Sequence, residues 1–174
     1  MSPAPAAALD VETQLFAARP WVPTRAALRR WATAAHLAAL GARPRARRAA
    51  DAAASQVCIR VVGPVQGRRL NHEYRGRDQP TNVLSFPASA AERRYAGVLG
   101  DLVICAPVVA REAREQGKSR PAHWAHMVVH GILHLHGYEH ERPRAARVME
   151  RLEVEILLGF GYQNPYLPVT PCQP

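Results

Sequence analysis

The sequence predicts a single α+β domain in which a small mixed β-sheet packs with helices. Short β-branched, apolar segments such as QVCIRVVG (56–63) are typical of buried strands. Longer segments between and after them carry apolar residues at helical spacing. With 174 residues the chain is long enough to bury a core of its own.

The first helix is predicted over 24–40, where Thr24 supplies an N-cap ahead of apolar residues at helical spacing. The other predicted elements are strands at 56–63, 82–87 and 97–107, a short helix at 65–76, and helices at 108–118, 121–137 and 142–161. The Ala/Pro-rich residues 1–23 are interpreted as a flexible lead-in, residues 24–166 as the domain, and residues 167–174 as a Pro-rich tail.

Positive charge is concentrated in the first part of the chain. Residues 1–100 carry 15 Arg and 6 Asp/Glu, whereas residues 101–174 carry 8 Lys/Arg and 8 Asp/Glu, so the net charge of +9 lies before residue 101. This asymmetry favours a polyanionic partner such as the phosphate backbone of a nucleic acid. Arginine enrichment through genomic base composition is an equally good explanation of the charge alone.

Several classes of protein are excluded or disfavoured by composition. No run of 18 apolar residues occurs, which excludes a membrane-spanning helix. The N-terminal segment lacks the basic and apolar regions of a secretory signal, so we expect a cytoplasmic protein. Three widely spaced cysteines, Cys58, Cys105 and Cys172, indicate reduced thiols rather than a disulfide framework.

The segment HGILHLHGYEH (130–140) has the spacing of a metal site. His130 and His134 are one helical turn apart, so both imidazoles project from one face of the predicted helix. Gly137 then permits a sharp turn with positive φ that returns His140 to the same point. Three neutral histidines leave one coordination position open, as in catalytic zinc sites. We therefore predict one Zn²⁺ ion on these residues.

Two other histidines of the helix have different expected roles. His126 shares the face of His130 and is expected to line the site or to form a hydrogen bond within it. His136 points away from that face and is predicted not to be a ligand.

The same segment resembles the H-E-x-x-H-x-x-G-x-x-H signature of zinc proteases, in its histidines and its glycine. The glutamate that acts as general base in that signature is replaced by Gly131, which weakens the interpretation as a peptidase. Glu139 and Glu141 are the nearest carboxylates in sequence. Each is expected either to orient a ligand histidine or to be a solvated turn residue.

A second polar stretch, LNHEYRGRDQPTNVLSFP (70–87), places Arg75 near the end of a predicted helix. An arginine can bind a phosphate through two parallel hydrogen bonds and stabilise charge that develops in the transition state. Residue types and spacing alone leave Arg75 as a surface arginine, because they do not place it beside the metal site.

Four segments together resemble the YbeY family of bacterial metal-dependent endoribonucleases, also described as ribosomal RNA maturation factors. They are the stretch at 70–87, GVLGDLVICAPVVAREAREQGK (97–118), HWAHMVVHGILHLHGYEH (123–140) and the closing ME…E…LLGFG…PY. The resemblance covers about residues 56–166, and its motifs occur in the family's order.

The resemblance implies an α+β domain with a zincin-like, ligand-bearing helix. It implies that His130, His134 and His140 bind zinc and that Arg75 acts at the ribonuclease site. It further implies cleavage of single-stranded RNA, with a role in 16S ribosomal RNA 3′-end maturation and ribosome quality control, and therefore ribosomal RNA and the ribosome as partners. The sequence departs from the family at Glu139, commonly Asp, and at His136, often apolar.

Two alternatives remain open at this point. One is a zinc metallopeptidase with a base from another part of the chain. The other is a non-catalytic, ribosome-associated binding protein in which zinc serves folding. The basic loop 41–53 lies outside the family motifs, and a role for it in phosphate binding is a hypothesis only.

Overall fold

A computed structural model describes residues 9–17, 22–44 and 55–168. Within them, four strands form one sheet in the spatial order β1-β2-β4-β3. The strands β1, β2 and β4 are parallel, and β3 is antiparallel to β4. Their bounds are Asp10–Leu15 (β1), Gln56–Val62 (β2), Val83–Pro87 (β3) and Val98–Cys105 (β4). The predicted mixed sheet is confirmed, with β3 at one edge.

The described residues form five α-helices: α1 (Arg25–Gly41), α2 (Pro64–Arg75), α3 (Ala106–Glu115), α4 (Arg120–Leu135) and α5 (Pro143–Gly159). The last of them packs on α1 and α4. The predicted N-cap of α1 is confirmed, because the Thr24 hydroxyl accepts a hydrogen bond from the Ala27 amide at 3.2 Å. A short π-helical turn, Glu92–Ala96, precedes β4 and was not expected from the sequence.

The flexible lead-in predicted for residues 1–23 is wrong at residues 10–15, which form β1. Val11 is buried and lies opposite Val57 of β2. The alternation of Val11, Thr13 and Leu15 with polar residues is short and stands in an Ala/Pro-rich context, so it gave no signal by itself. The strand obtains its hydrogen bonds from β2, a partner about 45 residues away in the sequence.

The boundary predicted between the last strand and the next helix is also wrong. The strand ends at Cys105, and α3 begins at Ala106, so Pro107 lies in the first turn of the helix. A proline is well tolerated there because its missing N–H has no partner within the helix.

Opposite faces of the sheet carry different helices. The larger core, which includes Ile59, Leu102 and Ile104, lies on the face covered by α1, α4 and α5. A smaller cluster with Leu70 of α2 and Val103 of β4 lies on the other face. Three of the five described helices therefore lie on one side of the sheet, and α4 lies directly over β3 and β4.

Among the described residues, no helix is both long enough and apolar enough to span a membrane. Cys58 and Cys105 are free thiols, in agreement with the prediction. Cys172, most of the basic loop 41–53 and most of the tail 167–174 lie outside the described residues.

Candidate metal centre

The structure brings His130, His134 and His140 together. The Nε2 atoms of His130 and His134 lie 3.0 Å apart on consecutive turns of α4. Gly137 adopts φ +81° just beyond the helix, and the turn places the His140 ring 5.4 Å and 4.9 Å, centroid to centroid, from the other two rings. One ring nitrogen from each histidine lies within 4.8 Å of the others. The turn predicted at Gly137 is confirmed.

The other nitrogen of each helical histidine is held by a hydrogen-bond acceptor. His130 Nδ1 lies 2.7 Å from Glu153 Oε1 of α5, and His134 Nδ1 lies 2.8 Å from the backbone oxygen of Tyr138. The Tyr138 hydroxyl in turn donates to the carbonyl of Ala39 at the end of α1 at 3.1 Å. Carboxylate and carbonyl oxygens only accept, so both rings carry their proton on Nδ1.

Glu153 was not identified from the sequence. Its side chain is buried, and it accepts a hydrogen bond from the Tyr166 hydroxyl as well as from His130. Burial would raise the pKa of this carboxyl, but interactions with the imidazoles of His126 and His130 outweigh burial and lower the pKa to about 2. Glu153 is therefore an anion at neutral pH and orients His130 from behind.

The donor set fits a zinc ion. With Nδ1 protonated, the Nε2 atoms of His130 and His134 present two lone pairs toward each other, an arrangement that a shared cation stabilises. Burial, together with the nearby His130 and His140, lowers the pKa of His134 to about 4, so its ring is neutral and able to bind metal at pH 7. Zinc-bound histidines usually donate the hydrogen bond of their other ring nitrogen to a carboxylate or a carbonyl, as His130 does to Glu153 and His134 to Tyr138.

Gly131 has no room for a side chain. A Cβ atom at this position would lie 2.7 Å from Leu102 Cδ2 and 3.4 Å from Val83 Cγ2. Both neighbours belong to the sheet under α4, and Leu102 is fully buried. The helix therefore approaches the sheet at the position where a zinc protease carries its general base, and a glutamate there would point into the core.

We expect Gly131→Glu to restore the protease signature but to destabilise the fold. Overpacking against Leu102 and an unpaired buried carboxylate together cost about 3–5 kcal/mol in the free energy of unfolding. Thermal denaturation checks this, with Gly159→Glu as control, because no atom lies within 4 Å of a Cβ at Gly159 in α5. A stable Gly131→Glu protein with peptidase activity would contradict the steric explanation.

In the described part of the chain, the carboxylates nearest to the cluster in sequence form no hydrogen bond or ion pair with a ligand histidine. Glu139 is a turn residue, because its Oε2 atom accepts hydrogen bonds from the backbone amides of Glu141 at 2.8 Å and Arg142 at 3.3 Å. Glu141 is exposed. The carboxylate that orients a ligand histidine is Glu153, on a different helix.

His126 lies one turn before His130 and is buried beside Glu153, with its Nε2 atom 3.6 Å from Glu153 Oε2. It lines the site, as predicted. Nitrogen and oxygen atoms of His126, His130 and Glu153 also lie within 4.8 Å of one another. Since His130 Nδ1 already bonds the carboxylate, these residues support the histidine cluster rather than form a separate site.

His136 lies outside the cluster, in agreement with the prediction. Its Nε2 atom lies 3.1 Å from Nδ1 of His36 in α1, and both rings are buried. Burial, with the nearby His36, lowers the pKa of His136 to about 3, and burial also lowers the pKa of His36. A polar residue at position 136 is therefore accommodated by a neutral imidazole partner from α1.

Arg75 is the exposed last residue of α2. The preceding Tyr74 packs its ring edge-on against Phe86 of the edge strand β3, 4.7 Å between centroids. On the other face of β3, the Ser85 hydroxyl reaches the carbonyl of Gly131 in α4 at 3.4 Å. Arg75 and the histidine helix thus lie on opposite faces of the same edge strand, and no contact among the described residues joins Arg75 to the cluster.

A depression of about 300 Å³ opens beside the three histidines. It is lined by His130 and His140 together with Val83 of β3, Met127 of α4, Glu150 of α5 and Tyr166 of the C-terminal segment, among others. The candidate metal centre is therefore accessible from a concave surface large enough to receive part of a substrate.

Comparison with known proteins gives a consistent result. A family model described as endoribonuclease YbeY matches residues 26–161. The endoribonuclease YbeY of Alkalilimnicola ehrlichii is 54% identical over 164 residues, 92% of this chain and 93% of that protein. The endoribonuclease YbeY of Aromatoleum aromaticum is 51% identical over 144 residues, 83% of this chain and 81% of that protein.

A solution structure of a protein from Thermotoga maritima matches the fold with a TM-score of 0.53 and 22% identity, over 94% of this chain and 99% of that one. The agreement in fold adds to the agreement in sequence with the curated relatives. The chain belongs to the endoribonuclease YbeY family.

Proposed function

We propose that the protein is a zinc-dependent endoribonuclease that cleaves single-stranded RNA, and that it acts on the 3′ end of 16S ribosomal RNA during maturation and quality control of the ribosome, in the cytoplasm. The observation that carries the proposal is the convergence of His130, His134 and His140 beside an open depression. The relatives named endoribonuclease YbeY, which this chain matches over most of their length, support the reaction class.

The histidines and Arg75 would have different roles in the reaction. His130, His134 and His140 would hold the ion, with Glu153 and the Tyr138 carbonyl fixing the ring orientations of the first two. A zinc ion there supplies Lewis-acid polarisation of the scissile phosphate. Arg75 would have to reach the phosphate around the edge strand β3, where it would neutralise the charge that develops on the phosphate oxygens.

A peptidase is a weaker alternative, because Gly131 has no space for a base and Glu139 is engaged in its own turn. A binding protein with structural zinc is also less consistent with the observations. The described core of more than thirty buried apolar side chains lies mainly between the sheet and the helices, so the fold does not depend on a metal for its interior.

The test is cleavage of a labelled single-stranded RNA from the 3′ region of the small-subunit ribosomal RNA. Wild type is compared with His134→Ala, and each with and without a chelator. We expect wild type to cut, and both chelation and the substitution to abolish cutting, with activity of the chelated wild type restored by added zinc. The same RNA annealed to its complement tests the preference for single strands.

Three outcomes would overturn parts of the proposal. Equal cleavage by wild type and His134→Ala would place the activity outside the histidine cluster. Casein turnover that is lost in His134→Ala would favour the peptidase. Unfolding on chelation, without RNA cleavage by the intact protein, would favour the binding protein with structural zinc.

A further inference from the structure

We propose that RNA flanking the cleaved phosphate binds along a groove that leads from the histidine cluster to a basic depression at the turn between α3 and α4. The proposal rests on the endoribonuclease function proposed above. The groove consists of three neighbouring depressions that share lining residues. His126 lines both the depression at the histidines and a middle one, and Lys118 lines both the middle one and the basic one.

The basic depression has a volume of about 420 Å³ and is lined by Arg111, Arg114, Lys118 and Arg120. No carboxylate is among its lining residues in the described part of the chain. Residues 101–174 carry equal numbers of acidic and basic side chains, yet half of their eight basic residues surround this one concavity. The overall composition of the segment therefore does not account for the local charge, which suits a phosphate backbone.

The arginines of α3 are available for a ligand. Arg111 and Arg114 lie three residues apart, so they project from one face of the helix. Arg111 pairs with Glu115 at 3.7 Å, but both side chains are more than half exposed, so this pair is weak and readily exchanged for a phosphate. Guanidinium groups at such a surface can each bind phosphate oxygens through two hydrogen bonds.

The middle of the groove is held in place by the segment 162–168. The Lys118 ammonium donates a hydrogen bond to the carbonyl of Pro165 at 2.7 Å, which fixes this segment against the start of α4. The next residue, Tyr166, donates its hydroxyl to Glu153 and packs its ring on His126, 5.6 Å between centroids. The segment thus lies between the middle depression, which Pro165 lines, and the depression at the histidines, which Tyr166 lines.

Tyr166 offers an aromatic surface beside the cluster. Its ring lines the same depression as His130 and His140, and 47% of the residue is exposed although its hydroxyl is engaged. Proteins that bind single strands without strong sequence preference combine aromatic stacking surfaces with a line of cations along the backbone. Along the proposed groove, Tyr166 would provide the aromatic stacking surface and the basic depression would provide the cations.

The test measures binding of a cleavage-resistant, 2′-O-methylated single-stranded RNA of about 12 nucleotides by fluorescence anisotropy at several salt concentrations. We expect Arg111→Ala/Arg114→Ala to weaken binding by about tenfold near 0.1 M salt and to reduce the slope of log K against log salt by about 1.4, as for loss of two phosphate contacts to a single strand. The matched control is Arg25→Ala/Arg29→Ala, which removes two exposed arginines of α1 that line none of the three depressions.

Substrate length separates this proposal from the proposed function. Suppose that wild type cleaves RNA and that the α3 variant, Arg111→Ala/Arg114→Ala, binds the 2′-O-methylated RNA as tightly as wild type does. The proposal of the groove is then wrong, while the proposed function is unaffected. The same holds if the α1 control loses as much affinity as the α3 variant. If wild type cleaves no RNA, the function fails, and the binding comparison still reports on the groove. We expect the α3 variant to lose less cleavage activity on a short RNA of about four nucleotides than on an unmodified RNA of about 12 nucleotides, because fewer phosphates of the short RNA extend along the groove.

Discussion

Arg75→Ala is expected to lower kcat for RNA cleavage by about 10²–10³-fold, as does the loss of one preorganised group that stabilises transition-state charge. The residue is exposed at the end of α2 and forms no hydrogen bond or ion pair among the described residues, so its removal leaves the fold intact. Zinc affinity should stay unchanged because Arg75 contacts none of the ligand histidines. Single-turnover cleavage and zinc titration of the same preparation check both statements.

Two further variants show whether the effect belongs to the guanidinium of Arg75. Arg75→Lys keeps the charge but loses the planar fork, so we expect only part of the activity to return. Arg77→Ala removes an exposed arginine two residues further along and should cleave RNA nearly as wild type does. Equal losses of RNA cleavage in Arg75→Ala and Arg77→Ala would indicate that positive charge attracts RNA in general. The prediction of a specific role for Arg75 would then be wrong.

The elements with strong local signals were predictable from the sequence. Helix α1 has its capping threonine, and α4 starts after Ser119, whose hydroxyl accepts from the Ala122 amide. The strand β1 was missed because its stability comes from pairing with β2 rather than from its own six residues. The periodicity of a segment indicates only its own conformational preference. A short edge strand forms because it pairs with a strand that is distant in the sequence.

The histidine cluster was also predictable, because its geometry is local. Two ligands are one turn apart on one helix, and Gly137 with φ +81° makes the turn that returns the third. The role of Gly131 was visible only as a missing glutamate. Its steric cause, the close approach of Leu102, depends on how α4 packs on the sheet and cannot be read from spacing.

Glu153 was missed although the sequence holds a signal for it. The final helix carries apolar residues at helical spacing, Val148, Leu152, Ile156 and Phe160, of which Leu152 and Ile156 are buried and the other two are partly buried. Glu153 follows Leu152 directly and is also buried. A carboxylate next to the apolar stripe of a helix is costly to bury unless it is paired, so its position indicates a specific cationic or hydrogen-bonding partner.

Removal of that carboxylate should weaken the metal site without removing a ligand. Glu153→Ala takes away the acceptor of His130 Nδ1, which lies 2.7 Å away, and frees the ring to rotate or to change its tautomer. We expect zinc affinity to fall by about 10–100-fold, the usual effect of losing such a partner. Competition with a chromogenic chelator measures the affinity, and RNA cleavage should be lost at limiting zinc but recovered when zinc is in excess.

Glu153→Gln separates charge from geometry. Its side-chain oxygen still accepts from His130, so the ring orientation is kept while the negative charge behind it is lost, and we expect a decrease in zinc affinity near the lower end of that range. The matched control is Glu155→Gln on the same helix, since Glu155 is exposed and pairs only weakly with Arg151 at 3.8 Å. If Glu153→Ala bound zinc as tightly as Glu155→Gln, the buried carboxylate would be serving the packing of α5 rather than the metal, and its hydrogen bond to His130 would be incidental to the site.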